Sequence, residues 1–215
     1  MNINKDVDFI LLDMDGTLLD LHYDSHFWLE FIPQQYAIKE GLSLTQAITY
    51  VYAQYAKVSG QLNWYCHDHW FKTLGLDIKK LQHMTKSKVK PRVDVLLFLE
   101  HLKTLDKRVF MITNAHRNSV EMKMQMTGLS PYFERIISSH DMQIAKENRE
   151  FWTRLEKDFK VNFVRSLFID DSEKILKVAE NSGVRWLRGI NTPDSTIPAQ
   201  AMQGFKTINL FSELL

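Results

Sequence analysis

Two acidic pairs stand out among the residues able to do chemistry: Asp13 with Asp15 in LLDMDGTLLD, and Asp170 with Asp171 in LFIDDS. Each pair closes a short apolar run that reads as a buried strand. Gly16 lets the chain turn sharply behind the first pair and keeps side chains clear of a ligand. In open α/β sheets, ligands bind outside the carboxyl ends of the strands where strand order reverses, so both pairs are expected at one site. Four carboxylates that close repel one another and raise each other's pKa values unless a cation compensates. Oxygen-only ligation, with no histidine or cysteine beside the aspartates, points to Mg²⁺, which keeps several waters and is typically shared with a substrate phosphate. Two further places suit a phosphate. Thr113 and Asn114 in MITNA offer a hydroxyl and backbone N–H groups, and Lys146 in IAKEN is predicted to begin a helix.

These residues must be held by strands and crossovers. FILLDMDGT, RVFMITNA, ERIISSH and RSLFIDDS read as buried parallel strands, with VRWLRGI as a fifth. Helix-length, helix-favouring stretches around Asn118–Thr127, Glu147–Phe159 and Ser172–Asn181 separate most of them, with Gly128 and Gly183 at C-terminal cap positions. One local pattern disagrees: Val120, Met122, Met124 and Met126 alternate with polar residues as a strand would. Met, Glu, Lys and Gln favour helix, and a crossover is required before the next parallel strand, so helix is expected. Asp13 and Thr113 stand 100 residues apart, whereas a βαβ unit takes about 30. Residues 23–87 are therefore read as an inserted helical cap, with blocks at 24–38, 45–58, 62–75 and 77–86; residues 1–22 and 88–215 form the core. Lys86, Lys88, Lys90 and Arg92 around Pro91 are expected to be a solvated hinge. The fold class is thus α/β, a doubly wound, Rossmann-like parallel sheet of about five strands with an inserted helical cap.

With 215 residues, 45% apolar and 25% charged, the chain suits one domain plus an insertion. Lys and Arg total 27 against 26 Asp and Glu, so bulk charge gives no reason to bind nucleic acid or an anionic membrane. No apolar run approaches the roughly 18 residues of a membrane span. The single cysteine, Cys66, cannot form an internal disulfide, and MNINKDVD is too polar for a signal peptide. A cytoplasmic monomer or homodimer is expected.

Taken in order, DMDGT, ITN, a lone lysine and IDDS resemble the four motifs of the haloacid dehalogenase (HAD) superfamily of phosphohydrolases, over residues 9–190. DMDGTLLDL, TNAH, LFIDDSE and NTPDS look like the purine 5′-nucleotidases that hydrolyse GMP and IMP. Lys146 is followed by Glu147, where many relatives carry Pro. The resemblance implies that Asp13 attacks phosphorus and becomes an aspartyl phosphate. Asp15 then acts as acid toward the leaving alkoxide and as base toward water. It also implies that Asp13, the Asp15 backbone carbonyl and Asp170 hold Mg²⁺, that Asp171 orients metal-bound water, and that Thr113, Asn114 and Lys146 bind phosphate. With Asp15 protonated, three carboxylates and a phosphate dianion sum to −5, against +3 from Mg²⁺ and Lys146.

Rival readings fit less well. A calcium loop is disfavoured because Gly16 follows Asp15 directly and Thr17, not an acid, takes the fifth position. A receiver domain places its acid pair ahead of the phospho-acceptor and lacks a cap-sized insertion. A dehalogenase needs no acid at Asp15. The alternatives carried forward are a small-sugar or phosphoglycolate-type phosphatase and, from another class, a non-catalytic phospho-binding module. Substrate choice is expected to lie in the cap, where Trp64 or Trp28 could stack on a purine and Asn63 could bond its six-position oxygen, with His116 and Arg117 next in line.

Overall fold

The computed structural model describes residues 1–199 and 201–215. Six strands, β1 (Phe9–Leu12), β2 (Arg108–Thr113), β3 (Arg135–Ser138), β4 (Ser166–Asp170), β5 (Trp186–Ile190) and β6 (Thr207–Ile208), form one sheet in the order β3-β2-β1-β4-β5-β6. All pairings are parallel. The chain steps outward from β1 to β2 and β3, then returns past β1 to β4, so strand order reverses between β1 and β4. The sheet has one strand more than the five expected. β6 is only two residues long, Thr207 and Ile208 beside Gly189 and Ile190, too short to leave an apolar run in the sequence.

The central strands β1, β2 and β4 are buried on both faces, which is why they read as apolar runs, whereas β3 and β5 each begin with exposed or half-exposed residues. Ile10 and Leu12 of β1 join Val109, Met111, Leu167 and Ile169 on one face, whereas Phe9 and Leu11 join Phe110, Ile112 and Phe168 on the other. A short helix, α1 (Ile3–Asp6), precedes β1. Between β1 and β2 the chain forms α2 (His22–His26), which runs through a π-helical turn at Phe27–Phe31 into α3 (Ile32–Glu40). It continues as α4 (Leu44–Val58), α5 (His67–Leu74), α6 (Ile78–Thr85) and α7 (Val95–Lys103). Then follow α8 (Arg117–Thr127), α9 (Ser139–Met142), α10 (Arg149–Phe159) and α11 (Glu173–Asn181). α7 and α8 cover the first sheet face; α10 and α11 cover the second. The inserted helices bury a cluster of their own, including Phe27, Tyr36, Val51, Tyr55, Trp70 and Leu81. Ser43 opens α4 with a reciprocal capping box to Gln46, the pattern S-x-x-Q predicts.

Two sequence expectations need correction. Lys146 does not begin a helix: it lies in a turn, and α10 starts at Arg149 behind the cap residue Asn148. Both cap glycines stand as expected: Gly128 closes α8 with φ +69°, and Gly183, with φ +97°, follows the last turn of α11, its N–H on the Glu180 carbonyl and the next N–H, Val184, on the Ala179 carbonyl. The basic run is not uniformly a solvated hinge. The Arg92 guanidinium donates to the Thr192 carbonyl and to the Asn209 carbonyl at 2.7 Å, clamping the returning chain onto the C-terminal segment. The two crossings pair directly, Asp20 N–H to the Lys90 carbonyl at 3.0 Å and Arg92 N–H to the Leu18 carbonyl at 3.0 Å. No helix among the described residues is long and apolar enough to cross a membrane.

Candidate active site

Register assembles the acids. Leu12 pairs with Ile169 of β4 and Met111 of β2, so the next residues, Asp13 and Asp170, emerge side by side at the strand ends, and Thr113 ends β2 beside them. Asp13, Asp170 and Asp171 each offer a carboxylate oxygen, all within 4.8 Å of one another. Gly16 has φ +80°, and a Cβ there would lie 2.3 Å from Asp171 Oδ2. The glycine thus makes room for the Asp171 carboxylate, as well as for the turn itself.

Lys146 is buried between these acids, its Nζ 2.5 Å from Asp13 Oδ1, 2.7 Å from Asp170 Oδ2 and 3.3 Å from the Ile112 carbonyl. Burial alone would push the ammonium down, but the Asp13 and Asp170 charges outweigh it and raise its pKa. Burial pushes the Asp13 carboxyl up to about 7, against the pull of Lys146. Asp170 and Asp171 are raised too, foremost by burial and, for Asp171, then by the charges of Asp170 and Asp13. Three carboxylates and one ammonium leave excess negative charge in a desolvated, all-oxygen donor set, which fits a hard divalent cation. Asp171 stands in this cluster rather than behind it. The Asp15 side chain does not; it lies 2.8 Å from Lys123 Nζ.

The turn carrying Lys146 is fixed by Asn114, whose Oδ1 accepts from Lys146 N–H at 2.9 Å and from the Ser139 hydroxyl. Asn114 Nδ2 donates to Glu147 Oε2 at 2.8 Å, and Glu147 Oε1 accepts from the Tyr65 hydroxyl at 3.1 Å. Glu147 therefore ties the inserted segment to the end of β2. The Asn114 side chain is fully engaged, leaving its backbone N–H for an anion. Thr113 Oγ1 accepts from Ala115 N–H at 3.1 Å, which leaves its hydroxyl proton free to donate.

Sequence reasoning missed Lys123 and Asp24. Lys123 is 1% exposed on α8, and its Nζ donates to both Asp24 oxygens at 2.7 Å. Burial, reinforced by the Asp15 charge, pushes Asp24 up to about 7. The available signal was the helical period, because Lys123 falls on one face with Ser119, four residues earlier, and both are buried.

All the core residues singled out from sequence line one cavity of about 220 Å³: Asp13, Asp15, Thr113, Asn114, Lys146, Asp170 and Asp171. A second cavity of about 250 Å³ adjoins it, sharing Asp15, Leu21, Tyr65 and Ala115 as walls. Trp28, Trp64 and His116 line this second space. Trp64 also packs edge-on against Tyr55 at 4.8 Å and Trp70 at 5.8 Å between ring centroids, so it serves the core of the insertion as well. Asn63 does not come to the site: it is exposed and outside the lining of either cavity. Arg117 instead forms a surface ion pair with Asp141.

A family model described as haloacid dehalogenase-like hydrolase matches residues 7–183. The chain is 38% identical over 218 residues, 100% of its own length and 98% of the relative's, to GMP/IMP nucleotidase YrfG of Escherichia coli K12, and equally to that of Shigella flexneri. Among solved structures, an HAD phosphatase from Thermococcus onnurineus superposes with a TM-score of 0.82 at 20% identity, covering 97% of this chain and 96% of the other.

Proposed function

The chain belongs to the haloacid dehalogenase-like hydrolases, and within that family we propose that it is a purine nucleoside 5′-monophosphatase acting on GMP and IMP. The observation that carries this reading is the pair of adjoining cavities. One holds Asp13, Lys146 and the carboxylate cluster, and suits a phosphoryl group. The other, reached past Asp15, is walled by Trp28 and Trp64 and suits a flat base. The full-length similarity to the GMP/IMP nucleotidases supports the same choice.

In this reading Asp13 attacks phosphorus in line, forming an aspartyl phosphate as the bond to the leaving oxygen breaks. Asp15, on the wall between the cavities, gives its proton to the departing alkoxide. The ionised Asp15 then takes a proton from water as that water attacks phosphorus, freeing Asp13 and releasing phosphate. Lys146 holds the Asp13 and Asp170 carboxylates in place and offsets part of their charge. The Thr113 hydroxyl and the Asn114 backbone N–H bind phosphoryl oxygens. Magnesium, held by Asp13, Asp170 and Asp171, supplies neutralisation of phosphoryl charge when bound. Residues 23–87 serve as the cap, and the cytoplasm, where nucleoside monophosphates and magnesium coexist, is the assigned location.

A panel of nucleoside monophosphates, sugar phosphates, phosphoglycolate and p-nitrophenyl phosphate, assayed with Mg²⁺ and with EDTA, tests this. Highest kcat/KM for GMP and IMP, abolished by EDTA, is expected. A preference for phosphoglycolate or a sugar phosphate would replace the nucleotide reading, and no Mg²⁺-dependent turnover of any monoester would remove the phosphatase reading.

A further inference from the structure

The second cavity carries more than aromatic surface. Asp15 stands on the wall it shares with the phosphoryl cavity, so a leaving group protonated by Asp15 must extend into this space. Part of its wall is polar and comes from both parts of the molecule: His67 and Gln82 from the insertion, Ser119 and Lys123 from α8. His67 Nε2 lies 2.8 Å from Ser119 Oγ, and the Ser119 hydroxyl donates to Gln82 Oε1 at 2.9 Å. All three side chains are buried.

This chain of bonds has a direction. Gln82 Oε1 can only accept, so the single Ser119 proton is committed to it, and Ser119 Oγ can then only accept from His67 Nε2–H. The neutral ring must carry its proton on Nε2 and a bare lone pair on Nδ1. Burial, then the charges of His116, His140 and Lys123, push the His67 pKa down to about 3, which keeps the ring neutral. The His67 plane is held by stacking on His116, with centroids 4.2 Å apart and planes 17° apart. His67 Nδ1 is buried and has no hydrogen-bond partner, an arrangement that native proteins rarely leave unfilled. The Gln82 amide nitrogen, its oxygen already engaged, remains to donate.

We propose that the Gln82–Ser119–His67 chain selects 6-oxopurine nucleotides against adenine nucleotides, with His67 Nδ1 accepting from the base N1–H and the Gln82 amide donating to O6. This rests on reading the enzyme as a purine nucleoside monophosphatase. Guanine and hypoxanthine present N1–H beside an O6 acceptor and complement this wall. Adenine presents a bare N1 beside an amino group and opposes it at both positions. A site built to hydrogen-bond a polar group rejects the mismatched analogue because its own buried polar groups are left unpaired.

Steady-state kinetics of the full chain with Mg²⁺ on IMP, GMP, AMP and p-nitrophenyl phosphate test the proposal. Wild type should favour IMP and GMP over AMP by at least about 10-fold in kcat/KM. His67→Phe keeps a ring against His116 but removes both nitrogens. It should lower kcat/KM for IMP about 10- to 100-fold more than for p-nitrophenyl phosphate, and bring the IMP-to-AMP ratio toward one. Ser119→Ala loses one hydroxyl and frees His67 to present either tautomer, so the same ratio should fall; it carries the comparison if His67→Phe does not fold by circular dichroism. If wild type prefers IMP and GMP yet both variants keep its IMP-to-AMP ratio, or lose IMP and p-nitrophenyl phosphate turnover equally, the selection is overturned and the nucleotidase reading stands. If wild type cleaves p-nitrophenyl phosphate but no purine monophosphate, the nucleotidase reading fails and takes the selection with it.

Discussion

Asp13 has to be charged, buried and aimed at phosphorus, and these demands conflict, since burial outweighs the pull of Lys146 and leaves its carboxyl raised to about 7. Lys146, 2.5 Å away, holds the ionised form. Asp13→Asn keeps the shape but removes the attacking charge, so kcat on p-nitrophenyl phosphate should fall at least about 100-fold while the circular dichroism spectrum is retained. Residual turnover of more than a few per cent of wild type would refute the assignment. Gly16 gives a second residue-scale prediction. An alanine there meets both φ +80° and Asp171 Oδ2 at 2.3 Å, so Gly16→Ala should destabilise by about 1–3 kcal/mol and raise the Mg²⁺ concentration for half-maximal activity; an unchanged metal titration would sink the link to Asp171. The acids were legible because residue type and spacing sit in a few adjacent letters. The helical face of Lys123 could be read, but not its pairing, because its partner Asp24 is 99 residues away, and an ion pair between distant residues leaves no local pattern.

Among the elements, β1, β2 and β4 were legible because strands buried on both faces are apolar almost throughout, and β3 and β5 by shorter apolar runs beside Arg135 and Arg188, whereas β6 and the turn at Lys146 carry no such mark. α8, a helix as expected, shows why its local alternation had to be set aside. It packs on the sheet through residues such as Val120 and Met124 and meets α6 with its other side, so Ser119, Met122 and Lys123 are buried too. A helix sandwiched between two layers has no clean polar face, and its alternating methionines imitate a strand. The price of that burial is Lys123, whose charge must be met by Asp15 and Asp24. Those two acids come from the loop after β1 and from α2, so one lysine ties α8 to the chain on its way into the insertion. Lys123→Met leaves the acids buried without their cation and should cost about 3–5 kcal/mol, read as a lowered urea midpoint at pH 7. A loss below about 1 kcal/mol, the scale of a surface pair, would show that the tie does not hold these elements together.

At the scale of the whole molecule, the buried charges couple stability to pH and to metal, and the signs can be worked out. An unfolded aspartate titrates near 3.9. In the folded protein Asp13 and Asp24 lie at about 7, and Asp170 and Asp171 are raised as well. Between about pH 4 and 7 the folded, metal-free protein therefore binds more protons than the unfolded chain, and this stabilising contribution is lost as pH rises through about 7. His67 and His140 oppose it. Their folded values fall to about 3 and about 4, below a free histidine near 6.5, so their contribution is present above about pH 6.5 and lost toward acid. Metal-free stability alone mixes the two effects. The difference in Tm between Mg²⁺ and EDTA at one pH separates them, because the histidines lie outside the carboxylate cluster and cancel. A divalent ion occupies Asp13, Asp170 and Asp171 only as their protons leave, so the Mg²⁺-induced rise in Tm should grow with pH up to about 7 and then level off. One displaced proton corresponds to about 1.4 kcal/mol per pH unit, or roughly 3–5 °C per unit for a chain of this size. Thermal melts at several pH values between about 5.5 and 8, with and without the metal, would read that slope directly. A magnesium shift of equal size at both ends of the range would mean that binding displaces no protons from these carboxylates, and the metal would then have to be held elsewhere.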